Sequence, residues 1–287
     1  TGRWGMADYR QLHEQLGQVF EKQIFFITGL TRSGTVWVQK AIDAHPEAAC
    51  RGEGHFIDML YPQLKRAIGD YNQQVGVGRG QMEAAGVNSI PSDFTYQELE
   101  YLLAVSMGLA FNRWIGDYHV KCVGERTPDY AINLEMLARV MPNAKFVHVI
   151  RDGRDEVTSA WEFNRRYQGE SFTKKFPKFE EFVAVFANSW TRAVGDARRF
   201  GRTHRDLYID VCYEDLLNDP VPVMRDVCLF LGLYDSDDAL SQCIRAGDSG
   251  AMPDGSVGAW RDAFDDNADK TFMRHAGELL KLLDYSD

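Results

Sequence analysis

Long apolar runs are missing from this 287-residue chain. Stretches such as Phe146-Val147-His148-Val149-Ile150 fall far short of the roughly 18 residues that a membrane-spanning helix needs, so no span is expected. Cysteine is scarce and shows no pairing pattern. Cys50, Cys122, Cys212, Cys228 and Cys243 form no C-x-x-C, and an odd number argues for a reducing compartment over a disulfide framework. Cys122 and Cys212 lie in strand-like runs and read as small core residues. The seven histidines make no H-x-x-x-H pair, so no metal is expected. Positive charge is in deficit: 32 Lys and Arg against 42 Asp and Glu leave a net charge of −10, which disfavours nucleic acid as a partner. The terminus Thr1-Gly2-Arg3-Trp4 has no basic-then-apolar leader. A cytoplasmic location is the expectation, with an upstream anchor or leader left open.

What is present is an alternation of strand-like and helix-like segments, which reads as an α/β fold with a mainly parallel sheet covered by helices. Strands are expected at 24–28, 119–123, 145–150 and 206–211, with a weaker one at 48–51. Helices are expected at 35–44, 130–140, 152–166, 178–200, 220–231 and 267–283. His45-Pro46 stops the first helix, and Asp219-Pro220 opens the one at 220–231. Residues 55–118 break the rhythm with many aromatics and the glycine-rich VGVGRG at 75–80. This stretch reads as an inserted, largely helical lid carrying a mobile loop, or as an extra structural subdomain. Residues 247–262 form a second flexible segment. With no repeat and no linker, one domain over 1–287 is the simpler organisation.

Residues 24–37, IFFITGLTRSGTVW, carry the most information. An apolar strand feeds a loop that opens and closes on Gly29 and Gly34, and a helix follows from Thr35. Such a strand–loop–helix cradles phosphate, because glycines admit the anion to the backbone and helix-start N–H groups point at it. A Walker loop would place lysine after the second glycine. Thr35 stands there instead, and the cation comes earlier, at Arg32, which points away from ATP hydrolysis. A second strand, FVHVI, ends in Arg151-Asp152-Gly153-Arg154-Asp155, at the carboxyl edge where open α/β sheets bind ligands. Arg151 leaves the strand directly, and Ser159 lies two helical turns on, within reach of the same anion. Asp152 and Asp155 suit a helix cap and first turn. Taken alone this reads first as a salt-bridged turn and second as an anion site; with the first loop it implies two phosphate subsites.

Four stretches in order resemble the PAPS-dependent sulfotransferase family. TGLTRSGTVW resembles its 5′-phosphosulfate loop, and FVHVIRDGRDEVTSAW its 3′-phosphate motif. LYIDVCYEDLLNDP resembles its Tyr-Glu-Asp strand end, and VGAWRDAF its C-terminal G-x-W-[KR]-x-x-F element. The resemblance implies a P-loop-like fold, PAPS as co-substrate, PAP as product and no metal. It implies that Arg32, Ser33, Gly34, Thr35, Val36 and Trp37 hold the phosphosulfate, and that Arg151 and Ser159 hold the 3′-phosphate. Tyr213, Trp260 and Arg261 would flank the nucleotide. Trp37 stacks on adenine in that reading and is a buried helix tryptophan in the plainer one; for Tyr213 the alternative is packing at a strand end. Pro253-Asp254-Gly255 replaces the family's Arg-Lys-Gly, which removes two cations and makes Arg261 more interesting.

Cytosolic relatives carry Lys-Thr-His after a strand, with the histidine as base; here Arg126-Thr127-Pro128 has no such histidine. The resemblance therefore shifts to the branch of tyrosylprotein and bacterial enzymes whose base is a Gly-Glu glutamate after the second strand. AHPEAACRGEGHF places Glu53 in that role, with Arg126 as a third cation. His55 is the rival, because residues 53 and 55 share a face of an extended segment; a third option is that neither acts. The plainer readings are an ion pair for Glu53, with Arg51 or a cleft arginine, and lid packing for His55. The implied reaction is in-line O-sulfation, with Arg32 stabilising charge on the departing phosphate. A small-molecule or natural-product alcohol or phenol is the first choice of acceptor; a carbohydrate or peptide tyrosine is the alternative. A P-loop kinase and a silent nucleotide-binding module are the rival functions, and either a monomer or a homodimer is compatible.

Overall fold

Ile24, Phe25, Phe26 and Ile27 are apolar at four successive positions, the pattern of a strand covered on both faces. In the computed structural model of the chain, which describes residues 9–88, 93–116, 118–249 and 257–285, they form the middle strand of a five-stranded sheet. α1 (Tyr9–Phe20) precedes β1 (Gln23–Thr28), α2 (Thr35–Asp43) and β2 (Ala48–Arg51). A π-helical turn, Phe56–Leu60, leads into α3 (Tyr61–Ala84), then α4 (Tyr96–Ile115) and β3 (Cys122–Arg126). α5 (Leu134–Val140) crosses to β4 (Lys145–Ile150). Next come α6 (Gly153–Gln168), α7 (Glu170–Lys175), α8 (Phe179–Thr203) and β5 (Tyr208–Cys212). α9 (Tyr213–Asn218), α10 (Pro220–Leu231), α11 (Asp237–Asp248), α12 (Trp260–Ala263) and α13 (Asp266–Leu282) follow.

The strand order is β2-β3-β1-β4-β5 and every pairing is parallel. Ile24 and Phe26 face a layer that includes Leu103, Met107 and Phe111 of α4, Leu137 of α5 and Ala197 of α8. Phe25 and Ile27 face the other layer, with Trp37 and Val38 of α2, Met224 of α10 and Leu240 of α11. Phe26 is the hub of the first, with ring centroids 6.3 Å from Phe111, 6.2 Å from Tyr130 and 5.7 Å from Phe146. A third cluster, around Trp190 and Phe272, packs α6, α8 and α13 together.

Three expectations change. The third strand runs over 122–126, not 119–123. The N–H groups of Lys121 and Cys122 both go to Glu47 O, and the ladder to β1 starts at Cys122, so pairing carries Gly124-Glu125-Arg126 into the sheet. VGVGRG is no loop: residues 75–80 lie inside α3. None of its glycines takes a positive φ, and the helix continues through them at about 1 kcal/mol each relative to alanine. Of the segment expected as a lid, α4 buries Leu99, Leu103, Met107 and Phe111 and belongs to the core, whereas α3 buries no residue. No helix among the described residues is long and apolar enough to cross a membrane, and all five cysteines are free.

Candidate active site

The carboxyl ends of the five strands share one edge, the usual ligand position of a parallel sheet. In sheet order the side chains at or just past those ends are Glu53 after β2, Arg126 closing β3, Arg32 after β1, Arg151 after β4 and Tyr213 after β5. A carboxylate thus stands at one side of the β1 loop and a buried arginine at the other.

The loop itself is strained. Arg32 has φ 76° and Gly34 φ 101°, both in the left-handed region. Only glycine suits position 34, where a Cβ would also lie 2.2 Å from Cδ2 of Tyr213. For Arg32 the conformation costs on the order of 1 kcal/mol or more, and its side chain is held by partners. Its Nε donates to Ser159 Oγ at 2.9 Å and its guanidinium lies 5.0 Å from the Phe163 ring centre. No side chain among the described residues caps α2, which leaves the N–H groups of Thr35 and Val36 to solvent or an anion, while that of Trp37 goes to the Gly34 carbonyl. The Ser33 hydroxyl is buried without a hydrogen-bond partner among the described residues. Such a group costs about 1–3 kcal/mol, a penalty that an anion oxygen relieves. Thr35 is buried at the start of α2 and Val36 is half-buried beside it.

On the other side, Arg151 is 2% exposed. Its Nη1 donates to the Arg32 carbonyl at 3.1 Å and its guanidinium lies 5.1 Å from the Tyr213 ring centre. Tyr213 is therefore wedged between Gly34 and Arg151. Ser159 was expected to share an anion with Arg151; its hydroxyl bonds Arg32, so the two expected subsites are joined directly. Arg154 is a structural arginine. It pairs with Asp152 at 2.8 Å, donates to the Tyr285 carbonyl at 2.7 Å and stacks 3.8 Å from the Trp260 ring centre. Asp152 caps α6 and Asp155 lies in its first turn, both as expected, and the Asp155 carboxylate also reaches the C-terminal segment. It accepts from the backbone N–H of Gly258 at 2.7 Å and of Trp260 at 2.9 Å, which docks the C-terminal segment beside Arg151. Burial pushes the Asp155 carboxyl up while those two bonds oppose it. Arg261 is exposed, 4.7 Å from the Trp260 ring centre. Residues 250–256, including Pro253-Asp254-Gly255, lie outside the described residues. Trp37 is 2% exposed, donates to Asp248 Oδ1 at 3.1 Å and packs on Gly247, which is the plainer of its two readings.

At the β2 side, Glu53 Oε1 meets Arg126 Nη1 at 2.7 Å, and Oε2 meets His55 Nε2 at 3.1 Å. Arg126 is braced by Gln39, whose Oε1 accepts from its Nε at 2.9 Å. Arg51 instead pairs with Asp43 at 2.7 Å, so the cleft arginine is the partner of Glu53. His55 Nδ1 meets Asp58 Oδ2 at 2.7 Å. That contact holds the imidazole above its ordinary pKa, with burial opposing.

Two participants were missed. Glu125 is fully buried in β3; its Oε2 accepts from Gly54 N–H and, at 3.1 Å, from Thr127 Oγ1. Burial, opposed by those bonds, lifts its carboxyl to about 7. Its Oε1 is buried without a partner among the described residues. A Cβ on Gly54 would lie 2.5 Å from Glu125 and 2.2 Å from Phe56, so the glycine lets the segment that carries Glu53 close onto β3. Asp58 is the other, and its signal was the three-residue step from His55.

The model of a sulfotransferase family matches residues 24–237. Protein-tyrosine sulfotransferase 1 of Danio rerio is 25% identical over 217 residues, 76% of this chain and 55% of that protein. Protein-tyrosine sulfotransferase 2 of Gallus gallus is 25% identical over 224 residues, covering 77% and 54%. The chain thus spans about half the length of these relatives. Among solved structures, a mouse sulfotransferase complexed with PAP superposes with a TM-score of 0.56 at 17% identity, covering 96% of this chain and 94% of that one. A sulfotransferase of Mycobacterium avium gives 0.56 at 14% identity, covering 96% and 80%.

Proposed function

The chain belongs to the sulfotransferase family, and from that premise we propose that it moves the sulfuryl group of PAPS onto an acceptor hydroxyl and releases PAP. The observation that carries this is the order of side chains along the sheet edge: a strained loop with Arg32 and a Ser33 hydroxyl that has no partner among the described residues stands between Glu53–Arg126 and Arg151–Tyr213. Two anion subsites flanked by one carboxylate suit a doubly phosphorylated donor and a hydroxyl nucleophile.

PAPS supplies an activated sulfuryl group on a phosphate that departs with the rest of the nucleotide. The residues of this chain do the remainder. Ser33 and the first-turn N–H groups of α2, from Thr35 and Val36, hold the phosphosulfate end. Arg151, with Ser159, holds the 3′-phosphate, and Arg261 stands at the same side. Arg32 exchanges Ser159 for the departing phosphate and stabilises the charge that grows on its bridging oxygen. Arg126 fixes Glu53 through one carboxylate oxygen, so that the other takes the acceptor's proton.

The acceptor proposed first is a small phenol. Phe163, under the Arg32 guanidinium, pairs with the exposed Tyr167 ring at 4.4 Å, an aromatic flank beside the cation. A peptide tyrosine is the second reading, favoured by the names of the two relatives, and is likewise a phenol. α3 leaves the turn after Glu53 and is the element proposed to cover the acceptor. Free cysteines, four of the five buried, suit a reducing, cytoplasmic setting.

The test is transfer of label from [35S]PAPS to a phenol, an aliphatic alcohol, a tyrosyl peptide and a monosaccharide, alongside thermal shifts with PAP and with magnesium ATP. Expected are phenol turnover and stabilisation by PAP alone. Preferential stabilisation by magnesium ATP would point to a kinase and overturn the proposal. Glu53→Gln is expected to lower kcat by about 10²–10⁴ with the PAP shift intact; unchanged turnover would remove Glu53 from the mechanism.

A further inference from the structure

Glu53, His55 and Asp58 stand in line, each within hydrogen-bond reach of the next. We propose that His55 and Asp58 form a proton relay behind Glu53, which takes the acceptor's proton from it and delivers that proton to solvent. This rests on the sulfuryl-transfer reading above.

The backbone is bent to make the line. His55 sits at φ 50°, a left-handed conformation that few non-glycine residues adopt. It opens the π-helical turn Phe56–Leu60, and its carbonyl accepts from the N–H of both Met59 and Leu60 at 3.1 Å. That turn brings Asp58, three residues on, back to Nδ1 at 2.7 Å. Strained backbone of this kind persists where surrounding contacts enforce it, and it concentrates at functional sites. Asp58 accepts from Nδ1–H, so once Glu53 Oε2 carries the acceptor's proton the Nε2 lone pair is the atom that receives it.

The proton balance closes. As the acceptor oxygen bonds to sulfur, the sulfur–oxygen bond to the nucleotide's phosphate breaks and the phosphate leaves with that electron pair. The acceptor's proton goes to Glu53 Oε2. A neutral Glu53 no longer compensates Arg126, 2.7 Å from its other oxygen, so passing the proton to His55 Nε2 restores that ion pair. Asp58 balances the imidazolium, and the ring, one third exposed, releases the proton to water.

The charged groups that face His55 are Glu53 and Asp58 from its own segment, Glu125 and Arg126 from β3, and Asp129 from the turn after it. Acid that charges His55 in the resting enzyme closes the relay.

The experiment compares wild type, Asp58→Asn, His55→Gln and Glu125→Gln by kcat/KM against pH and by an NMR titration of the His55 ring in the nucleotide-free protein. Asp58→Asn is expected to move the His55 titration to lower pH and the acid limb of kcat/KM with it. His55→Gln is expected to remove that limb and lower kcat about 10²-fold, with KM for PAPS and the PAP thermal shift unchanged. A limb that belongs to His55 survives Glu125→Gln. The relay is overturned if Asp58→Asn moves neither curve, if His55→Gln keeps kcat within twofold, or if the limb disappears with Glu125. Wild type that sulfates no acceptor overturns the sulfuryl-transfer reading and the relay together, so the two failures are distinct.

Discussion

Replacing Glu125 with glutamine converts a buried, titrating carboxyl into a permanently neutral one of the same shape. In the fold this carboxyl stays protonated up to about pH 7, because its burial outweighs the bonds from Gly54 and Thr127; the usual unfolded value is near 4.5. Between those pH values the fold keeps a proton that the unfolded chain has released. The stability Glu125 contributes is therefore complete below about pH 4.5 and falls as pH rises, by about 1.4 kcal/mol per pH unit and about 3 kcal/mol by pH 7. Glutamine has no such dependence. Its amide N–H₂ lands where Oε1 now lies buried without a partner among the described residues, a constant offset of about 1–3 kcal/mol against the variant. Urea unfolding of both proteins at half-unit steps from pH 4.5 to 8 measures the difference, and contributions from other raised carboxyls such as Asp155 cancel in it. Glu125→Gln is expected to start less stable than wild type and to gain about 3 kcal/mol on it across the range. A difference that stays constant with pH would refute the burial argument.

Three further outcomes are expected. Gly34→Ala meets both a left-handed backbone and the Tyr213 ring, so isothermal titration should show PAP binding lost, with a stability cost of about 2 kcal/mol or more from unfolding curves. Arg151→Met removes a buried cation from the edge of β4, and PAP affinity is expected to fall about 10- to 100-fold, the worth of a charge-assisted contact. Phe26→Ala empties the hub between Phe111, Tyr130 and Phe146 and is expected to lower unfolding free energy by about 3–5 kcal/mol, with PAP affinity retained in the fraction that folds.

What was legible in the sequence is what short-range pattern encodes. The apolar run before Gly29 lies within a few residues of the two loop glycines, as FVHVI does of the arginine leaving β4, and each has a local physical reason. Glu53 was reached through the Gly-Glu that follows β2, and the structure brings it to Arg126 as the ion-pair reading allowed. What escaped depends on distant partners. Glu125 is an ordinary acidic residue until β3 pairs through it, and its altered carboxyl is a product of that burial. Arg32 and Ser159 are 127 positions apart, so their bond could not be read from spacing. VGVGRG has a loop's composition, yet helix 61–84 passes through it because no residue there requires a backbone that a helix forbids.

The position of β1 in the middle of the sheet divides labour along one line. Everything proposed to grip the donor hangs from β1, β4 and β5, while the carboxylate, its arginine and the proton path hang from β2 and β3, at the far margin. β2 is bonded to a single neighbour, and the long β2–β3 crossover carries α3, which buries no residue of its own and touches the core only through Tyr61 and Leu64 at its start. A lineage can therefore rewrite α3 to suit a new acceptor while α4, the core-bound helix of the same crossover, and the donor half stay as they are. Exchange of acceptor preference between relatives by grafting this one segment is the kind of change that such a layout makes cheap.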